Sequence, residues 1–304
     1  MFKNLQIFKF LDGINITIDD LQAYLERQTF SPCQKFSLES IGWVMPITSN
    51  EKLVHQVDDC LFFSFKKQER LLPAKVIKER LDERIAEIEL AQNSKVRTRE
   101  KRALKDDIIH ELTPQAFVIS SIINAYIDNA NGWLVIDTPS IKKAEELVSF
   151  LRYTVGTLPV ALFEFNDSIS NTLTALVEYG SKENYCEPFK ALDDCILLDN
   201  EGSKATCKQQ DMFTDEVQTH IGAGKSVQRL KLEYDDSIQF SVDDKFAIKQ
   251  IKFIGLIEEQ INEVDAEDEY QQFLADNTIM THGIKSLVKE LIELFGEEVK
   301  LVSL

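Results

Sequence analysis

The residues that could bind a phosphate group or a metal ion are few and widely spaced in this sequence. Gly222-Ala223-Gly224-Lys225-Ser226 has the last residues of a nucleotide-binding loop, but it lacks the first glycine and the loop length that would wrap a phosphate. We therefore interpret this segment as the C-terminus of a helix. The four histidines form neither an HExxH motif nor an i, i+4 pair, so they predict no metal site. They are His55, His110, His220 and His282.

The acidic residues do not form a convincing catalytic group either. Several aspartates are adjacent in sequence, as at Asp193-Asp194, and such neighbours point to different faces of a strand or helix. Glu298-Val299-Lys300 is the one ExK pattern of the kind that Mg²⁺-dependent nucleases use, but no acidic residue on a nearby predicted strand supports it. There is no GxSxG motif. The sequence therefore predicts a protein without catalytic residues, metal or cofactor, and a nuclease stays as a weak alternative.

The charge of the chain is distributed unevenly. The net charge of −17 by itself argues against a nucleic-acid ligand, because a polyanion repels another polyanion. Residues 66–105, however, contain 13 basic and 7 acidic residues, a local charge of 13 − 7 = +6. Residues 258–298 contain 12 acidic and 2 basic residues, a local charge of 2 − 12 = −10. Without a family resemblance, a solvated helical hairpin beside an acidic region is the favoured explanation of this asymmetry, ahead of a binding surface.

The composition is that of a globular protein of two or three domains. Of the 304 residues, 44% are apolar and 28% charged, and no apolar run has the length of a membrane span. The first ten residues alternate polar and apolar, which predicts a strand rather than an export signal. The cysteines are odd in number and contain no CxxC pair, so we expect buried thiols in a reducing cytoplasm. They are Cys33, Cys60, Cys186, Cys195 and Cys207.

Hydrophobic periodicity predicts an α+β fold with mixed or antiparallel sheets and a protruding helical hairpin. Pro73 opens a long helix, a break near residues 92–94 leads to a second helix up to Leu112, and Pro114 ends the pair. The remaining predicted elements are strands at 5–10, 60–65, 117–127, 133–136 and 160–165, helices at 19–28, 141–153, 169–179, 215–223 and 284–295, and a meander from 230 to 248. We expect three regions: residues 1–72 together with 117–165, the hairpin 73–116, and residues 166–304.

An ordered set of segments along the whole chain resembles the RdgC family of recombination-associated proteins. The segments are Phe2-Lys3-Asn4-Leu5, Phe30-Ser31-Pro32-Cys33, Gly42-Trp43-Val44-Met45-Pro46, Leu72-Pro73-Ala74-Lys75-Val76-Ile77-Lys78, Pro114-Gln115-Ala116-Phe117, Lys142-Lys143-Ala144-Glu145, Gly156-Thr157-Leu158-Pro159-Val160 and His220-Ile221-Gly222-Ala223-Gly224-Lys225. The resemblance implies a horseshoe-shaped subunit, a homodimeric ring around duplex DNA, binding without sequence preference, and negative regulation of the RecA recombinase. It also implies a cytoplasmic, nucleoid-associated protein with no catalytic step.

The resemblance and the local charge together nominate the residues of the site. Phe117 matches a family phenylalanine at the subunit interface or the DNA, although a core position in a strand is the alternative. Lys208, Gln209 and Gln210 match a family segment in which the second residue is usually lysine. The remaining candidates for DNA contact are basic residues: Lys75, Lys78, Lys95, Arg97, Arg99, Lys101, Arg102, Lys105, Lys225, Arg229 and Lys231. An acidic regulator that binds the recombinase directly, with little DNA contact, remains the alternative function.

Overall fold

The computed structural model describes residues 1–13, 16–180, 187–262, 268–296 and 298–299. Within them the chain is an α+β protein in which the strands of the sheet pair antiparallel, as the hydrophobic periodicity predicts. None of the described helices combines the length and the apolarity that a membrane span requires. Of the five cysteines, Cys60, Cys195 and Cys207 are buried and Cys33 is half-buried, whereas Cys186 lies outside the described residues.

Twelve strands are present in the described residues. They are β1 (Leu5–Phe10), β2 (Glu39–Val44), β3 (His55–Val57), β4 (Cys60–Arg70), β5 (Val118–Asp128), β6 (Trp133–Asp137), β7 (Val160–Leu162), β8 (Phe189–Leu198), β9 (Lys204–Cys207), β10 (Ser226–Tyr234), β11 (Ile238–Asp243) and β12 (Ile248–Phe253). The helices are α1 (Ile18–Glu26), α2 (Ala74–Gln92), α3 (Thr98–Leu112), α4 (Ile141–Val155), α5 (Ile169–Tyr179), α6 (Asp215–Gly222), α7 (Gly255–Asn262) and α8 (Glu269–Phe295).

The chain divides into two compact units. The first comprises residues 1–25, 45–63 and 124–304, and the second comprises residues 26–44 and 64–123. The boundaries of this division at residues 63/64 and 123/124 fall within β4 and β5, so each of these strands begins in one unit and ends in the other. The three regions expected from the sequence have other boundaries, and that division stays a prediction.

In the first unit the strands follow the order β5-β6-β1-β12-β11-β10-β8-β9, with β3 beside β4 and β7 beside β1. Alternation explains the buried face of the sheet: Leu230 and Leu232 of β10 and Phe240 of β11 point into one core. Helices α5 and α8 contribute their apolar stripes to the same core, including Leu173 and Leu287.

Helix α8 is longer than predicted, because it begins at Glu269 instead of Ile284. Its first half carries Asn277 and Thr281, which are buried and whose side chains bond to backbone carbonyls one turn earlier. Within the helix, a Cβ added to Gly283 would lie 3.1 Å from the ring of Phe253. The absence of a side chain there allows the helix to approach β12 closely. Buried polar residues and a glycine do not add to a hydrophobic period, so the first half of α8 was not predicted.

The second unit contains β2, the second half of β4, the first half of β5, and the hairpin of α2 and α3. β2 pairs with β4 from Glu39 opposite Glu69 to Val44 opposite Ser64. The guanidinium of Arg70, at the end of β4, donates to the carbonyl oxygens of Gln34, Ser37 and Ala116. These three bonds hold the segments on either side of the hairpin together.

The structure contains elements that the sequence analysis did not predict, namely the strands β2, β3, β8 and β9 and helix α7, and it displaces one residue. β8 and β9 were not predicted, because Asp193 and Asp194 interrupt the apolar alternation of β8. Phe246 was expected in the last strand of the meander, but it lies in the preceding turn with a φ of 60°. The interpretation of the Gly222–Gly224 segment is confirmed, since α6 ends at Gly222 and Gly224 has a φ of +88°.

Candidate nucleic-acid interface

Local interactions explain where the two helices of the hairpin begin. α2 begins after Pro73, whose φ of −60° suits the entry to a helix. α3 begins after Arg97, whose backbone N–H donates to Oε2 of Glu100 at 2.9 Å. Between the helices the N–H of Val96 donates to Oε1 of Glu89 at 3.0 Å. The turn is therefore fixed by capping carboxylates close to it in sequence.

The hairpin buries little of its own surface. α2 contains no buried residue, and Ile108 is the one buried residue of α3. The apolar residues of α2 that recur at helical spacing, such as Ile77, Leu81 and Ile85, are half-buried. Since the interior of the pair is narrow, the charged side chains lie on the surface, where they can meet a ligand.

All eight basic residues predicted on the hairpin are exposed. They are Lys75, Lys78, Lys95, Arg97, Arg99, Lys101, Arg102 and Lys105. In the part of the chain that the structure describes, none of these eight forms an ion pair. The hairpin ion pairs involve other arginines: Arg80 with Glu83 at 3.2 Å and Arg84 with Glu111 at 3.9 Å. The positive charge of the eight side chains is therefore available to an anionic partner.

The basic side chains of α3 gather on one face of the helix, and Asp106, four residues after Arg102, lies at the edge of that face. Lys101 and Lys105 are four residues apart and Arg102 and Lys105 three, so these three side chains are neighbours on one face. Glu100 and Asp107 are seven residues apart and share a face roughly a quarter-turn or more away from the basic one. We call Lys101, Arg102 and Lys105 the basic face of α3.

The Lys208–Gln210 segment lies in the first unit, directly after β9, beside the aspartates of β8. Lys208 and Gln209 are exposed, and Gln209 has a φ of 52°. Its backbone N–H donates to Oδ1 of Asp194 at 3.1 Å, and the N–H of Gln210 donates to the carbonyl oxygen of Asp193. These contacts hold the segment against β8 and direct the side chain of Lys208 to solvent.

The three candidates near the meander differ in how far their charge is already neutralised. Nζ of Lys225 donates to Asp199 at 2.8 Å and to Ser203, and this lysine is the main cause of an Asp199 pKa lowered to about 2. Nζ of Lys231 lies 2.7 Å from Asp193, whose pKa it lowers through the hydrogen bond. Arg229 lies across from Asp243 in the β10–β11 register, but within the described residues it forms no ion pair.

Sequence reasoning missed two lysines on the same side of the sheet as Lys231. β12 places Lys249 opposite Ser241, the residue that also faces Lys231, and Lys252 opposite Gln239. Lys249 binds Asp243 at 2.7 Å, whereas Lys252 is exposed. The alternation of Ile248, Ile251 and Phe253 could have revealed β12, but a register shift within the β11–β12 pairing interrupts it.

Phe117 is 82% exposed, which excludes the alternative of a core position. Its carbonyl oxygen accepts the N–H of Leu71 at 2.8 Å, so the backbone is fixed while the ring points to solvent. Large apolar side chains follow on β5: Val118, Ile119 and Ile122 are 42%, 46% and 57% exposed. A phenyl ring and a strand this exposed are typical of an interaction surface.

No catalytic arrangement is found among the residues that the structure describes. No three or more His, Cys, Asp or Glu side chains in that part of the chain are placed to hold a metal ion. Of the ExK pattern, Glu298 forms an ion pair with Lys9, and Lys300 lies outside the described residues. The thiols of Cys60 and Cys195 have pKa values raised to about 12, chiefly by burial, which makes them poor nucleophiles.

Comparison with known proteins gives one consistent result. Residues 1–298 match the family model described as "Putative exonuclease, RdgC". The "Recombination-associated protein RdgC" of Psychromonas ingrahamii is 37% identical over 306 residues, covering 99% of both chains. Proteins of the same name from Proteus mirabilis and Yersinia pestis are 34% and 33% identical, each over 98% of both chains.

Proposed function

The chain belongs to the RdgC family, and from that premise we propose that it binds duplex DNA without sequence preference, encircles it as a homodimeric ring, and limits RecA-dependent recombination. The names of the relatives associate them with recombination. The duplex, the ring and the recombinase are our proposal for this chain. The horseshoe shape of the subunit and its association with the nucleoid belong to the same proposal.

The observation that carries the proposal is the set of eight exposed basic side chains on the hairpin that no carboxylate of the described residues neutralises. On a chain with a net charge of −17, positive side chains that no carboxylate pairs with form a local surface that attracts anions. Phosphate groups are the ligands that lysine and arginine bind when charge alone decides. The acidic remainder of the chain disfavours binding elsewhere, so DNA would be directed to the basic surface.

Binding without sequence preference follows from the type of residue involved. Lysine and arginine on phosphates position a duplex but carry no information on its sequence. Base readout in the major groove uses a recognition helix that presents several polar side chains to base edges. The exposed faces of α2 and α3 consist largely of charged residues, and the sequence contains neither a helix-turn-helix nor a zinc-finger pattern.

The proposal includes no catalytic step. The family model carries the word exonuclease in its description, whereas the relatives are named as recombination-associated proteins. Incubation of 5′- and 3′-labelled duplex with the protein in Mg²⁺ or Mn²⁺ is expected to leave both labels intact. Release of labelled nucleotides that follows the protein through purification would refute this part of the proposal.

The experiment that tests encirclement compares linear and circular duplex of the same sequence. Complexes are formed at low salt and then challenged with high salt, which removes protein held by charge alone. A closed ring is expected to stay on circular DNA, to leave linear DNA through its ends, and to stay on linear DNA whose ends are blocked with streptavidin. Equal loss from all three substrates would contradict encirclement.

The alternative, direct binding to the recombinase, is separated by a pull-down with RecA in nuclease-treated solution. The proposed function predicts that RecA does not retain the protein without DNA. It also predicts that variants of the basic face of α3 lose the inhibition of strand exchange to the same extent as they lose DNA binding. Retention without DNA would favour the alternative that the acidic region around α8 motivates.

A further inference from the structure

The hairpin of β8 and β9 places two cysteines directly opposite each other. Cys195 lies in β8 and Cys207 in β9, and the antiparallel register pairs the two residues. Directly opposite side chains point to the same face of a sheet, and the Cα atoms of such a pair are about 4.5–5.5 Å apart. A disulfide requires a Cα separation of about 4.4–6.8 Å. The two sulfur atoms can therefore be joined without a large movement of the backbone.

The two thiols also share one environment. Cys195 and Cys207 are 2% and 9% exposed and belong to the same hydrophobic core. Burial is the main cause of the raised pKa of Cys195, and the next cause is Cys207, which acts on it through charge and through a hydrogen bond between the side chains. Such an interaction requires that the side chains, and not only the two backbones, lie next to each other.

The other cysteines of the described residues have different neighbours. Sγ of Cys33 donates to the carbonyl oxygen of Gln68 at 3.5 Å, near the end of β4. Cys60 lies at the start of the same strand, where its thiol interacts with Lys285. These two cysteines are therefore separated by most of the length of β4, whereas the register of β8 and β9 brings the cross-strand pair together.

Strand β9 is poorly secured at the end where this pair lies. It contains four residues, pairs with β8 alone, and is the last strand of the sheet order. At the turn of the hairpin, Nζ of Lys225 donates to Asp199 and to the carbonyl oxygen of Ser203, which anchors that end. A short strand at the end of a sheet opens locally more easily than a central one, so the other end of β9 is the part that opens.

The residues after Cys207 continue along β8 through two backbone hydrogen bonds. The N–H groups of Gln209 and Gln210 donate to Oδ1 of Asp194 and to the carbonyl oxygen of Asp193. Both bonds break when the end of β9 leaves β8. A covalent bond at the preceding residue would hold this segment in place.

We infer that Cys195 and Cys207 form a reversible disulfide when a peroxide oxidises the protein, and that this bond fixes the Lys208–Gln210 segment against β8. Formation of the bond requires no DNA, so this inference goes beyond the proposed function. Its consequence for DNA binding rests on the proposed function, because the Lys208–Gln210 segment is one of the candidate DNA contacts.

The chemistry proceeds in two steps. The thiol of Cys207, on the outer strand, loses its proton, and its sulfur attacks hydrogen peroxide; the O–O bond breaks, hydroxide leaves and a sulfenic acid forms. The thiol of Cys195 then loses its proton, and its sulfur attacks the sulfur of Cys207 and displaces the hydroxyl group, which leaves as water. In total, two thiols and one peroxide give one disulfide and two water molecules. The closeness of the second thiol favours this step over further oxidation of the sulfenic acid, although burial keeps Cys195 protonated.

Tryptic peptides identify the bond directly. Lys204 separates the two cysteines, so digestion leaves Cys195 in the peptide 191–204 and Cys207 in the peptide 205–208. Reduced protein treated with hydrogen peroxide, and then blocked with N-ethylmaleimide in denaturant, should yield these two peptides as one disulfide-linked species. Dithiothreitol should separate them again. The variants Cys195→Ala and Cys207→Ala, each checked by circular dichroism, should yield no such species.

Hydrogen–deuterium exchange measures the effect on the segment. A disulfide that closes residues 195–207 into a loop disfavours the opened state by roughly a hundredfold, by loop-closure entropy. The amide groups of Gln209 and Gln210 should therefore exchange at least about tenfold more slowly in the oxidised parent than in the reduced one. The amide groups of α4 should keep their rates, and peroxide should change neither set in Cys207→Ala.

Duplex binding tests the consequence for the proposed function. The oxidised parent should bind a labelled duplex at least about twofold more tightly than the reduced parent, because a segment that is already fixed loses less entropy on binding. Cys207→Ala should bind equally before and after peroxide, which accounts for oxidation of the other cysteines.

The possible results separate the inference from the proposed function. If peroxide does not join the two peptides, or if the amide groups of Gln209 and Gln210 exchange equally in both states, the inference is wrong, whatever the protein does with DNA. If the bond forms and slows exchange while neither state binds duplex, the inference stands and the proposed function is refuted. Equal duplex affinity of the oxidised and reduced parent would refute the consequence for DNA binding.

Discussion

Removal of the basic face of α3 is expected to weaken DNA binding by an amount that can be calculated from the charge. The change is Lys101→Gln, Arg102→Gln and Lys105→Gln in one chain, at three exposed side chains that form no ion pair within the described residues. Each phosphate contact contributes about 0.9 to the slope of log K against log salt, which is about 0.7 log units at 0.15 M salt. Three lost contacts per hairpin therefore cost about two log units in affinity, or about 3 kcal/mol.

The assay is fluorescence anisotropy with a labelled duplex over a series of salt concentrations. The matched control replaces three exposed lysines outside the predicted site, Lys142→Gln, Lys143→Gln and Lys245→Gln, and so changes the net charge equally. The basic-face variant should show a shallower salt slope by about 2.7 per hairpin in contact, with an unchanged melting temperature. Equal losses in both variants, or an unchanged slope in the basic-face variant, would refute the assignment of the hairpin to phosphate contact.

Three further predictions concern stability and reactivity. Cys195 is buried and the pKa of its thiol is raised to about 12, so it should resist alkylation at pH 8, whereas the half-buried Cys33 should react. Equal labelling of both cysteines in the native protein, measured by mass spectrometry, would contradict this. Burial lowers the pKa of His55, so the unfolded state binds a proton more readily than the folded state, and stability should fall as the pH drops below about 6.5. His55→Phe should therefore lose less melting temperature between pH 7.5 and pH 5.5 than the parent chain does. Equal losses in the two proteins would refute the link. Leu287→Ala, at a fully buried position of α8, should lower the free energy of unfolding by about 2–5 kcal/mol in denaturant titration. Leu90→Ala, at a side chain that is 87% exposed, should lower it by less than about 0.5 kcal/mol. Similar losses in the two variants would contradict the described core.

The helical hairpin shows how much of the candidate site local sequence can predict. Pro73 and the spacing of Ile77, Leu81 and Ile85 predict α2, and the structure places it at Ala74–Gln92. The count of basic over acidic residues predicts a positive surface, because side chains on a two-helix hairpin have little interior to enter. The local sequence did not predict which of these charges lack a partner, because an ion pair such as Arg84 with Glu111 joins the two helices of the hairpin.

The candidates near the meander show where prediction from sequence failed. Lys225 and Lys231 count as free positive charges in a sequence, but the sheet places Asp199 and Asp193 beside them. Those carboxylates are 26 and 38 residues away along the chain, so the pairing depends on strand register. The same reason explains why β8 was missed, since its Asp193 binds Lys231 of the neighbouring strand β10 instead of interrupting the strand.

The sequence by itself determined the family, the α+β class, the existence of most helices and the location of the basic hairpin. Each of these depends on residues close together in the chain: a hydrophobic period, a capping residue, a local excess of charge, or an ordered set of motifs. Only the tertiary structure decided which lysines are neutralised, that Phe117 lies outside the core, and that Cys195 lies opposite Cys207. Those properties depend on which distant segment lies beside a residue, and strand pairing sets that neighbour through contacts that local sequence does not encode.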